Sequence, residues 1–240
     1  MLSERQIQLL NAIITEYVSS TTPVGSEIIV QKYKIKCSAA TVRNEMAKLI
    51  DEGFLQMLHT SSGRVPTPMA YKYFLTETME EEEMPVLQEV AMKQRLWPSR
   101  FEFYKFLKDA ALVLSDTTKE LSIVTTNDGF VVSAGAVNIL DNREFWDIDN
   151  AKAALYILDR FELLEEIFRK GANGGEVRYV IGEEMGIPNL NNTSMIFAPY
   201  TVGKKSGHVA VFGPSRMRYQ NVIPAVKFTK NLVEEMGESW

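Results

Sequence analysis

Residues 37–67 read CSAATVRNEMAKLIDEGFLQMLHTSSGRVPT. Ser38 is a good N-cap and Thr41 follows in the first turn, so a helix opens here. At about 100° per residue, Ala39, Val42, Met46, Leu49 and Ile50 share one face. Asn44 and Lys48 point the other way, beside Ala40, Ala47 and Asp51, and Arg43 and Glu45 lie on the flanks. One face therefore suits a small core, while the other offers an amide, a cation and small residues. Small residues let a helix sit deep in a major groove, where Asn bonds adenine and Lys or Arg reaches guanine or phosphate. Gly53 stops the helix. Residues 54–58 alternate as a strand, HTSSGR is a polar turn, and Val65 starts a return strand that Pro66 cuts short. The pattern predicts the reading helix and wing of a winged helix-turn-helix. His59 and Arg64 flank the turn, where a wing lies along the backbone or in a narrow minor groove.

Working outward, Ser3 and Gln6 form a capping box. Ile7, Leu10, Ile14 and Tyr17 follow at helical spacing, which predicts a helix over 4–19. The SSTTP run at 19–23 is a turn, and a second helix runs from Gly25 or Ser26 to about Tyr33, with Ile28 and Ile29 inward. Pro68 opens a further helix after the wing. The acidic stretch 79–83 and Pro85 mark a boundary, which predicts a winged-helix DNA-binding domain over 1–80, a linker over 81–98 and a second domain over 99–240.

In the second domain, Ser99 and Glu102 match a capping box, and Phe103, Phe106, Leu107, Ala110 and Leu114 define an amphipathic helix. Residues 121–126 and 130–137 read as a hairpin around Asn127-Asp128-Gly129. Asp149 is positioned to cap one long helix ending at Gly171. Strands are expected at 177–181, 193–199 and 208–212, and a last helix from Pro214 to about Met236, kinked or restarted at Pro224. This mixture predicts an α+β domain.

Composition narrows the function classes. The chain has 240 residues, is 45% hydrophobic and 24% charged, and carries a net charge of −5. Residues 1–75 nevertheless hold eight Lys/Arg against six Asp/Glu, and the acid lies downstream. The overall sign therefore does not exclude DNA. Cys37 is the sole cysteine, and only His59 and His208 supply imidazole, so neither a disulfide framework nor a Cys-rich metal site is expected. There is no nucleotide loop, no signal-peptide pattern and no apolar run of ~20 residues. The expectation is a cytoplasmic, non-enzymatic protein without cofactor. Glu183 and Glu184 are adjacent, and as strand residues they would face opposite ways and not form a carboxylate pair. Gly213-Pro214-Ser215 reads as a turn and helix start, either an anion site or a plain cap.

Several motifs together resemble the HrcA family of heat-inducible transcription repressors. They are PVGS at 23–26, SAATVRN at 38–44, HTSSGRVPT at 59–67 with Tyr71 and Tyr73, NILDNREF at 138–145, IGEE at 181–184, the strand from Ser194 to Tyr200, and FGPSRMRY at 212–219. The resemblance implies a winged helix that binds double-stranded DNA at an inverted-repeat operator, called CIRCE, upstream of chaperone genes. It implies a GAF-like second domain, and dependence on the GroEL chaperonin to keep the repressor folded. Family members carry an inserted dimerising segment before the NILDNREF-like stretch. Only about ten residues separate Thr126 from Val137 here, so that segment is expected to be missing. A two-fold operator still calls for a homodimer, with 71–79 or 101–114 as candidate pairing surfaces.

The candidate DNA contacts are Asn44 and Lys48 on the helix face, Arg43 for phosphate or a structural ion pair, Ser38 and Thr41 for phosphate or capping, and His59 and Arg64 in the wing. The competing reading is a ligand-responsive or protein-docking winged helix that does not read DNA.

Overall fold

The computed structural model describes residues 2–33, 35, 37–59, 63–80, 82–171 and 175–237. The turn residues 60–62 and the lysines at 34 and 36 lie outside the described residues. The fold is mixed α+β, helical at the N-terminus with a sheet in the C-terminal part, and it divides into two compact units, 1–80 and 81–240.

In the first unit, α1 (Glu4–Ser20) starts with the expected capping box, Ser3 and Gln6 bonding reciprocally. Its face of Leu9, Leu10, Ile13 and Ile14 is buried with Ile29 of α2 (Ser26–Tyr33) and Val42, Met46 and Leu49 of α3 (Ala39–Asp51). Ile28, expected inward, is instead 37% exposed, because a helix this short turns a single narrow face to its neighbours. Glu16 is buried and holds α2 to α1, accepting from Lys32 Nζ at 2.7 Å and Tyr33 Oη at 3.2 Å. A two-stranded antiparallel ribbon follows, β1 (Leu55–Met57) and β2 (Arg64–Pro66), and then α4 (Pro68–Tyr73) with a wider turn over 74–78.

The second unit is built on a five-stranded antiparallel sheet of order β4-β3-β7-β6-β5. The strands are β3 (Leu121–Thr125), β4 (Val131–Ala134), β5 (Arg178–Ile181), β6 (Thr193–Val202) and β7 (Lys205–Pro214). Alternate side chains go to opposite faces. Leu121, Ile123, Met195, Phe197, Ala210 and Phe212 pack with α7 (Ile148–Tyr156) and α8 (Phe161–Lys170). The other face meets α6 (Phe103–Thr118) and α9 (Tyr219–Gly237), where Tyr219 Oη lies 2.9 Å from Ser194 Oγ. Both faces are covered, which explains why β6 and β7 read as unbroken apolar runs.

Several expectations are corrected. The segment 81–98, expected as a linker, carries α5 (Val86–Leu96), whose Met92 and Leu96 are buried and which packs on α6. Ser99 caps no helix; its hydroxyl donates to the Leu96 carbonyl at 3.1 Å, and Glu102 at the N-cap makes no side-chain cap. The long helix from Asp149 is two helices, capped instead by Asp147 and parted by a turn at 157–159. The first part lies inward on Ala151 and Ala154, the second on Leu164, Ile167 and Phe168. Those two linings demand different distances from the sheet, which one straight rod does not satisfy. Glu183 and Glu184 sit in a short 3-10 turn, not in a strand. Gly213 and Pro214 end β7 and α9 begins only at Tyr219, so no helix N-terminus stands at 213–215. Pro224 lies within a continuous α9, early enough to orphan only the carbonyl of exposed Gln220. The 71–79 and 101–114 pairing surfaces are largely spent internally: Tyr71, Phe103, Phe106, Leu107, Ala110 and Leu114 are all buried.

Two of the quoted motifs meet in space. Arg216 donates from Nε and Nη2 to the Glu144 carboxylate at 2.7 and 3.0 Å, and from Nη2 to Asn142 Oδ1 at 3.0 Å. Both charged side chains are only 12% exposed. This fork holds the 136–145 segment against the end of β7. Beside it, burial pushes the Glu120 carboxyl up to about 8, with Arg216 pulling it down and Glu144 pushing it further up. An unfolded glutamate titrates near ~4.3. The folded state therefore binds this proton more tightly, and the group's contribution to stability falls as pH rises from about 4 to about 8. Glu120→Gln should accordingly unfold at the same temperature as the parent near pH 4 and at a higher one near pH 8. Parallel thermal melts across that range check this; a variant less stable than the parent near pH 8 contradicts it.

Candidate nucleic-acid interface

The candidate face is built by α3 and the ribbon. Ser38 Oγ accepts from the Thr41 backbone N–H at 3.2 Å and lies 3.0 Å from Thr41 Oγ1, so both hydroxyls are engaged in starting the helix. Gly53, at φ +83°, ends it: its N–H reaches the Ile50 carbonyl and the Phe54 N–H reaches Leu49, a Schellman closure. Between these stops, Val42, Met46 and Leu49 are buried, and Ala40, Arg43, Asn44, Ala47, Lys48 and Asp51 are exposed. The inward and outward sets are those expected from the 3.6-residue period. Lys48 Nζ is 3.0 Å from Glu45 Oε1, an i,i+3 pair that keeps the ammonium close to the helix. Arg43 and Asn44 make no hydrogen bond or ion pair with the other described residues.

The ribbon does not stand by itself. Arg64 and Val24 exchange backbone bonds, Val24 N–H to Arg64 carbonyl at 2.9 Å and Arg64 N–H to Val24 carbonyl at 2.8 Å. The turn between α1 and α2 thus acts as a third rung beside β2. Gly63 makes the approach possible. A Cβ there would stand 2.5 Å from the Pro23 carbonyl carbon and 2.7 Å from that of Val24. Thr67 secures the other end, its hydroxyl donating to the Gly53 and Phe54 carbonyls at 2.7 and 3.1 Å. Arg64 therefore stands at the root of the ribbon, half-buried opposite Met57, whereas His59 is exposed toward its tip.

Ser38, Thr41, Arg43, Asn44 and Lys48 are thus gathered along one helix, with His59 and Arg64 on the adjoining ribbon. The sequence reading passed over Gly63, Val24 and Glu45. A glycine directly before the return strand was the available signal for the first. Val24 gave none, since its partner is 40 residues away.

A sequence profile described as the HrcA protein C-terminal domain matches residues 28–223. The chain belongs to the HrcA family. The heat-inducible transcription repressor HrcA of Pelotomaculum thermopropionicum is 26% identical over 333 aligned positions, covering 96% of each chain. That of Syntrophobacter fumaroxidans is 26% identical over 343 positions, covering 99% of this chain and 98% of its own. Both alignments are longer than the 240 residues present here, so these HrcA relatives hold interior residues with no counterpart in this chain. A crystal structure of a hypothetical protein shares the fold, with TM-score 0.83, 18% identity, and 100% and 99% of the two chains covered.

Gly63→Ala should cost about 1–3 kcal/mol, since backbone faces backbone and neither side yields easily. Gly25→Ala is the control, because nothing lies within 4 Å of a Cβ added there. Denaturant melts of both variants check the seat of the ribbon. Equal stability would show that the close approach relaxes freely.

Proposed function

We propose that this chain is a sequence-specific DNA-binding repressor of heat-shock genes, with unit 1–80 acting as a winged helix and α3 as its reading helix. The observation that carries the proposal is the outward face of α3. It presents Asn44 and Arg43 uncommitted, flanked by alanines, beside a ribbon seated by backbone bonds. An amide and a guanidinium among small residues match base-edge and phosphate recognition. Family membership and the heat-inducible repressors among its relatives support the regulatory role. Repression of this kind is binding work, so the chain is a regulator and not an enzyme. Among the described residues no cluster of three or more His, Cys, Asp or Glu is placed to hold a metal ion, and no helix is long and apolar enough to cross a membrane.

In finer detail, the operator is an inverted repeat of the CIRCE type, read by a homodimer, because a two-fold site requires two reading helices related by two-fold symmetry. Ser38 and Thr41 stand at the helix start, where their remaining lone pairs and N–H groups face phosphate. His59 and Arg64 follow the backbone from the ribbon. The 81–240 unit is a GAF-like regulatory and assembly domain. The GroEL chaperonin is the partner that sustains the folded repressor, so that a loss of ~1–2 kcal/mol on heating changes the active fraction.

Gel shifts on an inverted-repeat duplex at several salt concentrations test the reading. Asn44→Ala should lower specific affinity by ~1–3 kcal/mol and spare non-specific binding. Lys48→Ala should weaken binding to all duplexes and reduce the salt slope by about one phosphate's worth. Unchanged affinity in both variants would remove α3 as the reading helix.

A further inference from the structure

In α7 the usual pattern is reversed. Its inward residues are the small Ala151 and Ala154, while Ile148, Leu155 and Tyr156 are 62%, 42% and 47% exposed. The neighbouring 3-10 segments, 136–141 and 143–145, adjoin α7 and add to the same surface. Val137 is 70% exposed, Leu140 58% and Trp146 74%. Trp146 is fixed in place, its indole N–H donating to the Leu140 carbonyl at 3.2 Å. The Arg216–Glu144 fork anchors the whole segment from beneath. The result is a firmly mounted apolar face on one unit.

We propose that this face, centred on Trp146, Ile148 and Leu155, is where two copies of the chain join. Area argues for it. At roughly 150–250 Å² for each large side chain, the exposed fractions amount to about 700 Å² per copy. That exceeds the ~300–600 Å² patch of an ordinary monomer and approaches the ~800 Å² per partner of a standard interface. Charge argues for a second copy over a different occupant. Exposed Asp141, Asp147 and Asp149 are interspersed with exposed Arg143 and Lys152. A nucleic acid would call for one sign, whereas a two-fold image of this face brings cations of one copy to aspartates of the other. The curated relatives hold interior residues that this chain lacks, so pairing here has to use surface already present. The other aromatic surface, at 97–101, has its cation already in place, Arg100 lying 4.3 Å above Trp97 and 4.2 Å from Phe101. The proposal deepens the repressor reading only in supplying the two-fold that an inverted repeat requires; the interface itself stands on the exposed face.

Sedimentation of the full chain, with and without operator duplex, tests it. The parent should form a concentration-dependent dimer. Ile148→Glu combined with Leu155→Gln should raise the dimer Kd at least ~100-fold, as for central interface residues. Thermal unfolding should be unchanged, since both side chains point to solvent and Glu is favoured in a first helical turn. Val137→Gln, off the helix, should weaken the dimer in the same direction. A monomer in both conditions, chaperonin-bound or not, or a dimer indifferent to all these changes, overturns the interface. Dimer loss in the variants with no operator binding by any of the proteins upholds the interface and sinks the repressor reading. Operator binding by a dimer that the variants leave intact does the reverse.

Discussion

The backbone exchange between Val24 and Arg64 is the constraint on which the first unit's geometry depends. Two hydrogen bonds of 2.8 and 2.9 Å tie the return strand of the ribbon to the turn between α1 and α2. A two-stranded ribbon alone is marginal in water. Here it gains a third rung, and the rung belongs to the segment that also launches α2. The direction of α3 is then set from three sides. Its buried stripe packs on α1 and α2, Gly53 turns the chain sharply into β1, and Thr67 bonds back across that turn. The outward residues Arg43, Asn44 and Lys48 inherit a fixed position relative to the ribbon. A reading surface needs this kind of preorganisation, because each mobile side chain would spend binding free energy on ordering.

The second unit applies the same logic to a different end. Its sheet is buried on both faces, and the segment 136–146 lies against it through the Arg216–Glu144 fork. A buried ion pair contributes little net stability when compared with apolar packing, but breaking one side of it is costly. The fork is therefore best understood as positioning. It brings the NILDNREF and FGPSRMRY motifs together and presents Trp146 and its neighbours outward on a rigid base. Glu120, held toward its protonated form beside this fork, avoids placing a second unpaired carboxylate there.

Local signals were legible wherever they were complete within a few residues. The Ser3–Gln6 capping box, the α3 stripe, the Gly53 stop and the 127–129 turn all stand where the residues imply. The reading failed where tertiary contacts decide. Ser99 and Glu102 have capping-box spacing, but the chain there is already bonded into a 3-10 turn. Periodicity across 149–170 hides a break whose cause is the distance of each half from the sheet. The outward face of α3 was plain from spacing, yet its pairing of Lys48 with Glu45 and the seating of Arg64 were not. Those depend on rotamers and on a partner 40 residues upstream, which a pattern within one helix does not contain.

The central claim is that DNA is met by α3 and the ribbon and by no other part of the chain. Hydrogen exchange of the full-length protein, alone and with an inverted-repeat duplex, measures this most directly. The account predicts slowed exchange over 38–48 and 59–64 on adding the duplex, with the strands of the second unit unchanged. Protection confined to residues 121–214, or none anywhere under conditions where the duplex is bound, would contradict it.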